Sequence, residues 1–209
     1  MKVFTAPTSK EIGKFQGLIK AFPNVWEGSI LDVGCRSKGL KQVLLEQNGN
    51  VNYCGLDLYP PADLIGNLEV GLPFDDSSFD TVTALDVLEH IEEIHNAFKE
   101  LCRVSRKYIL VTLPNAYEVK SRIKFLFGRP LSGKHGLPVR PPQDRHRWLF
   151  SFREARNFTH TLGRRYGFEL IAEGCLIGPR RSFAVNKVAV SLFPNFLSPC
   201  YVACLQRKN

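Results

Sequence analysis

A recurring unit constrains this chain most: a short apolar run stops at a turn and leads into sequence patterned for a helix. The first run is SILDVGC, residues 29–35, bounded by Gly28 and Gly34. VNYCGLDLY (51–59), the brief ADLIGN (62–67), FDTVTALDV (79–87) and KYILVTLPN (107–115) follow. Short apolar runs between turn signals suit strands buried on both faces, as in parallel sheets. Helical patterns lie between them. Leu40, Val43 and Leu44 form an inner face after the first run, and a helix from Glu89 to about Arg103 carries Ile91, Ile94, Phe98 and Leu101 on one side. Pro60-Pro61 ends the second strand so sharply that little room remains for a helix before the third. An amphipathic helix over residues 8–22, capped by Thr8 or Ser9, precedes the series with Ile12, Phe15, Ile19 and Phe22 inward.

Strands alternating with helices at this spacing imply an α/β fold: a Rossmann-like, doubly wound, mostly parallel sheet. GFELIAEGC and the terminal YVACLQRK bring the expected strand count to seven, and a helix over 151–166 starts at a Ser151/Glu154 capping box. Residues 128–147 (GRPLSGKHGLPVRPPQDRHR) form a loop of the length that usually serves as a lid, so a lid insertion over about 115–150 is expected after strand five. Segment 176–200 is apolar and carries no clear assignment. Ligands of such sheets bind outside the carboxyl ends of the strands, where strand order reverses. The chemistry is therefore expected just after residues 35, 57, 67 and 85.

The 209 residues suit one domain over 1–209. No run of about 18 apolar residues exists to cross a membrane, and the N-terminus lacks an apolar core of signal-peptide length. A cytoplasmic location is the expectation, with peripheral membrane contact as an option. Cys35, Cys54, Cys102, Cys175, Cys200 and Cys204 match no zinc spacing and read as small buried thiols, so no metal is expected. The net charge of +8 is local: residues 115–165 hold 12 Lys/Arg against 3 Asp/Glu. Such a patch suits an anionic partner, or simply a solvated face. In NAYEVKSRIKFLFG (115–128), Asn115 with Glu118 suggests a helix cap. Val119, Ile123, Leu126 and Phe127 make a stripe that either covers the active site, the preferred reading, or lies on an anionic membrane together with VAVSLFPNFL (188–197).

At the first strand end, Asp32 and Gly34 lead into a helix N-terminus with free N–H groups, and Asp57, 23 residues after Gly34, can accept from both hydroxyls of a ribose. A full GxGxxG is absent, which argues against NAD. The block LPFDDSSFDTVTALDVLEH (72–90) closely resembles the LPF…FD…LEH block of class I S-adenosylmethionine-dependent methyltransferases. LDVGC and CGLDLY are similar to that family's first two motifs, in order and spacing, over about residues 29–115. HRWLFS and GFELI are similar to its later half.

The resemblance implies an S-adenosylmethionine cofactor, with Asp32, Gly34 and Cys35 at its methionine part and Asp57 on the ribose. It places Leu58, Asn67 and Leu68 around the adenine, and Leu85 and Asp86 near the amino group and the substrate mouth. Glu89 and His90 match LEH, with His90 expected to pack or cap. The sequence departs from the family's GCGxG: Arg36 and Lys38 occupy later glycine positions and either point to solvent or crowd the cofactor. The reaction needs an aligned acceptor and, where a proton must leave, a base. His146 is the candidate base, with His135, Arg145, Arg147 and Tyr117 as substrate contacts. The expected acceptor is small, glycan or lipid-linked, and anionic. RNA methylation ranks lower because no Asn/Asp-Pro-Pro-Tyr/Phe block follows strand four, and a non-catalytic scaffold is the remaining alternative.

Overall fold

The computed structural model describes residues 1–6, 11–131, 134–135, 139–140, 144–178 and 187–208. The strands are β1 (Lys2–Thr5), β2 (Ser29–Val33), β3 (Asn52–Asp57), β4 (Leu64–Ile65), β5 (Phe79–Leu85), β6 (Ser105–Pro114), β7 (Phe168–Ile177) and β8 (Cys200–Arg207). They form one sheet in the order β1-β7-β8-β6-β5-β2-β3-β4. All pairings are parallel except those of β8, which runs antiparallel to both β6 and β7. The seven expected strands are present. The N-terminus adds the eighth, β1, which pairs Lys2–Thr5 with Gly174–Ile177 and so covers the outer edge of β7.

Period-two alternation divides the core in two. Leu31, Val33, Val82, Ala84, Ile109, Val111, Tyr201 and Ala203 face a layer built from α3 (Ile94–Val104) and α5 (Phe152–Arg165). Ile30, Leu110, Val202 and Cys204 face α1 (Glu11–Ala21) and α2 (Gly39–Asn48), where Phe15, Leu18, Leu40, Val43 and Leu44 fill the space. Both faces are thus covered, as a parallel sheet requires. The six cysteines are free thiols, four of them buried.

Strand order reverses at β2, which pairs β3 on one side and β5 on the other. The carboxyl ends of β2 and β5 therefore diverge into helices on opposite faces and leave a crevice between them. α5 starts with the expected capping box, Ser151 accepting from the Glu154 N–H while Glu154 accepts from the Ser151 N–H.

Three local expectations change. The helix expected from Glu89 begins instead at Ile94, after a 3-10 turn at Leu88–His90. Its first carbonyls are taken elsewhere: Glu89 accepts from the N–H groups of Arg147 and Trp148, and Ile91 accepts from Trp148 Nε1 at 2.7 Å. A carbonyl bonded to the lid is not available to the i+4 amide. Asn115 does not cap α4 (Val119–Leu126), whose flanking Glu118 makes no side-chain cap bond. Asn115 instead accepts from the Tyr117 N–H and donates to the carbonyls of Asn195 and Ser198. The unassigned tail contains α6 (Lys187–Leu192) and α7 (Pro194–Leu197).

Gly34 tests the sheet-to-helix turn. Its φ is +74°, and an added Cβ would lie 2.4 Å from Val87 Cγ2. Gly49, also at positive φ, has nothing within 4 Å of its missing Cβ. Gly49→Ala should cost about 1 kcal/mol from backbone conformation alone. Gly34→Ala should cost about 2–4 kcal/mol, because overlap with a packed side chain adds to the same strain. Urea midpoints of the two variants check this; equal losses would show that Val87 yields freely.

Candidate active site

The turn after β2 decides what the crevice can hold. Gly34 and Cys35 donate backbone N–H groups to the Leu56 carbonyl, and Arg36 N–H donates to Asp57 Oδ2 at 2.8 Å. Arg36 (φ 48°) and Lys38 (φ 58°) both adopt the left-handed conformation that glycine would favour. The backbone of a glycine-rich turn is therefore kept without the glycines. Neither side chain stays at the turn: Lys38 Nζ reaches Asp63 at 2.5 Å, and Arg36 extends to Asp144 of the lid at 3.7 Å. The Asp57 carboxylate accepts one N–H on each oxygen, from Arg36 and Leu58, and each oxygen keeps a further lone pair. Leu58 and Tyr59 beside it are exposed apolar side chains.

Beyond the ends of β5 and β6 the crevice deepens into a cleft of about 640 Å³. Its walls include Glu11 and Lys14 of α1, Arg36, Leu85, Asp86 and Glu89, Glu118, Ser121 and Lys124 around α4, and Lys134, His135, His146 and Trp148 of the lid. Asp86 sits at φ 58°, a strained position for an L-residue. Its carboxylate holds Lys14 Nζ at 2.5 Å and accepts from Thr112 Oγ1 at 2.7 Å. Burial opposes its charge, but Lys14 holds its carboxyl below the usual range. Burial, reinforced by the charge of Asp86, pushes the neighbouring Glu89 up to about 8. Burial also lowers His146 to about 4, with His90 and Lys134 adding to the effect, so its imidazole is neutral at physiological pH. The rings of His90 and His135 both meet that of His146 edge-on, with centroids 4.6 and 4.8 Å away.

The residues singled out in the sequence fall into three groups. Leu85, Asp86, His135 and His146 share the cleft. Asp57, Leu58, Asn67 and Leu68 lie outside it, along the ends of β3 and β4. Asn67 caps the short turn Leu68–Val70 by accepting from Glu69 N–H, and its carbonyl accepts from Val70. The rest point elsewhere. Cys35 is buried with its sulfur against Gly55, and Val87, not a ligand, occupies the space that Gly34 leaves open. Asp32 is buried within the sheet, accepting from the hydroxyls of Tyr53 and Thr83, both at 2.6 Å. Arg147 pairs with Glu92, Arg145 offers its carbonyl to His90 Nδ1, and Tyr117 is not among the cleft walls. The apolar stripe of α4 faces outward, and it is the polar side, with Ser121 and Lys124, that covers the cleft. Lys14 was missed: the helical period put Phe15 inward and gave no sign that its neighbour reaches Asp86. The pairing of Glu89 with His146 joins residues far apart in sequence and had no local signal.

Comparison with known proteins agrees with this geometry. Residues 11–173 match the family model described as "Methyltransferase domain". No curated protein matches the chain. Among solved structures, the methyltransferase domain of bacterial CtHen1-C superposes with a TM-score of 0.63 at 17% identity, covering 94% of this chain and 97% of that one. Magnesium protoporphyrin IX methyltransferase (ChlM) from Synechocystis PCC 6803, solved with bound SAH, gives 0.59 at 15% identity over 94% and 82%. The [4+2]-cyclase SpnF gives 0.57 at 14% identity over 97% and 86%. At these identities the likeness is one of fold.

Burial pushes Asp32 up to about 6, against the hydrogen bonds from Thr83 and Tyr53. The folded chain thus binds this proton more tightly than the unfolded one. Its stabilising contribution is complete below about pH 4 and is lost as pH rises through 6. Asp32→Asn removes the ionisation, so the stability difference between parent and variant should change by about 3 kcal/mol between pH 4 and 7, in favour of the variant at the higher pH. Urea unfolding across that range measures it, and a difference independent of pH would place the proton elsewhere.

Proposed function

The chain belongs to the methyltransferase-domain family, whose cofactor is S-adenosylmethionine, and from that premise we propose that it methylates a small or lipid-linked anionic acceptor in the cleft. One observation carries the reading. Arg36 borders both the Asp57 ledge and the cleft, so a nucleoside place opens directly onto a pocket edged by Lys14, Lys124 and Lys134. When bound, S-adenosylmethionine supplies an electrophilic methyl group, so the chain needs no nucleophile of its own.

The residues present suit that cofactor. Asp57 retains lone pairs for two ribose hydroxyls, and the bare side chains of Leu58 and Tyr59 suit the face of an adenine. Asp86, a carboxylate in the cleft wall that already holds the Lys14 ammonium, suits an ammonium group. On the acceptor side, Lys124 and Lys134 counter negative charge while Trp148 and Leu131 exclude water. His146, neutral and with an Nε2 that has no hydrogen-bond partner among the described residues, is the group we assign to activate an acceptor hydroxyl.

A lipid-linked acceptor agrees with the outer surface of the lid. Phe125, Leu126 and Phe127 are 74%, 79% and 73% exposed, and Leu192, Phe193 and Phe196 are bare on α6 and α7. The Arg122 guanidinium lies 5.5 Å from the centre of the Phe196 ring, which joins the two groups into one face. Arg122 and the exposed Arg129 flank it, so an anionic bilayer surface complements both its apolar and its charged parts. No helix among the described residues is long and apolar enough to cross a membrane.

S-adenosylhomocysteine at 100 times its dissociation constant should stabilise the fold by about 2.7 kcal/mol, and Asp57→Ala should abolish that gain. Calorimetry on both proteins checks it, and unchanged affinity in the variant would move the cofactor elsewhere. Turnover on RNA but not on phosphorylated or lipid-linked sugars would overturn the acceptor class. In flotation assays the chain should bind vesicles of phosphatidylcholine with phosphatidylglycerol, and not phosphatidylcholine alone; Phe125→Ser with Phe127→Ser should release it. Equal recovery with both vesicle types, or no effect of the double variant, would refute membrane docking by this face.

A further inference from the structure

We propose that Glu89, His90 and His146 bind a divalent transition-metal cation whose open side faces the cleft. The proposal rests on three potential ligand atoms that converge without a hydrogen-bond partner. Glu89 is 1% exposed, and its Oε1 lies 3.9 Å from Nε2 of His90 and 3.9 Å from Nε2 of His146. One ligand atom from each residue can be chosen so that all lie within 4.8 Å of one another. Glu89 Oε2, His90 Nε2 and His146 Nε2 are buried and have no hydrogen-bond partner among the described residues.

The protonation of His90 follows from its other nitrogen. Nδ1 lies 3.0 Å from the Arg145 carbonyl and 3.0 Å from Asp144 Oδ1. Both are acceptors, so Nδ1 carries the hydrogen and Nε2 presents a lone pair towards Glu89. This is the arrangement by which a carboxylate or carbonyl behind a histidine fixes it as a metal ligand. At 3.9 Å the Glu89 carboxyl is too far from the Nε2 of His90 or His146 to hydrogen-bond either. A cation with bonds of about 2.0–2.2 Å spans the gap and satisfies all of them.

The surrounding charges leave room for it. Lys14 is paired with Asp86, and Lys134 and Arg36 both reach Asp144. Two imidazoles and one carboxylate favour manganese, iron, cobalt or zinc over calcium or magnesium. The expectation of no metal came from cysteine spacing, which says nothing about a His/Glu set. Glu89 and His146 both line the cleft, so the remaining coordination positions open where an acceptor would lie. That last step rests on the proposed function: a hydroxyl bound there becomes more acidic and releases its proton to water, and His146 activates it by holding the cation.

Chelator-stripped protein titrated with MnCl2 by calorimetry should take up one Mn2+ per chain. CoCl2 should produce a visible absorption band from imidazole and carboxylate ligation. Glu89→Gln and His146→Ala should each weaken Mn2+ binding at least about tenfold, while stabilisation by S-adenosylhomocysteine is kept in both. That retained stabilisation also shows that the variants fold. Absence of Mn2+ and Co2+ uptake by the parent, or uptake unchanged in both variants, overturns the site. Cation binding without any response to S-adenosylhomocysteine would support the site and defeat the methyltransferase reading instead.

Discussion

The stitching of the β2 turn to the end of β3 is what the site depends on. Two amides of the turn share the Leu56 carbonyl and a third holds the Asp57 carboxylate. The geometry requires left-handed backbone at Gly34, Arg36 and Lys38. Only the first of these has a neighbour that forbids a side chain. Arg36 and Lys38 each carry conformational strain of about 1–2 kcal/mol in that region. Both also gain ion pairs that a glycine could not make, to the lid and to Asp63. Replacing glycines here leaves the backbone cradle in place and gives it two handles.

Those handles explain why part of the chain was legible and part was not. Strand runs and helix stripes are local, and they gave the strands and the layers, whereas the strand order that reverses at β2 is set by long-range pairing. The alternatives for Arg36 and Lys38 could not be separated from sequence because the deciding partners, Asp144 and Asp63, lie 108 and 25 residues away. The same holds for the start of α3. Its stripe is continuous through Ile91, yet Trp148 and Arg147 claim the carbonyls that the first turn would need. Tertiary hydrogen bonds outrank a weak helical preference at such a boundary. Asp32 shows the same limit: a carboxylate at a strand end in a motif reads as a ligand contact, and nothing local announces that Tyr53 and Thr83 on the flanking strands also bond it.

Local basicity resolves into separate jobs once partners are known. Arg147 and Arg156 are tied to Glu92 and Glu173 and add little to the field over the cleft. Lys120 and Lys124 line the cleft from α4, and Lys134 lines it from the lid. The lid segment thus lines the cleft with lysines, while the charged carboxylate below is Asp86 at the end of β5, since burial raises its neighbour Glu89 to about 8.

The proposed roles converge on one segment. Residues 115–148 supply the polar face of α4 to the cleft, its apolar face to the outside, and His146 to the cluster at Glu89. Asp144 fixes that segment from three sides, through Arg36 of the turn, Lys134 of the lid and His90 of the β5 end.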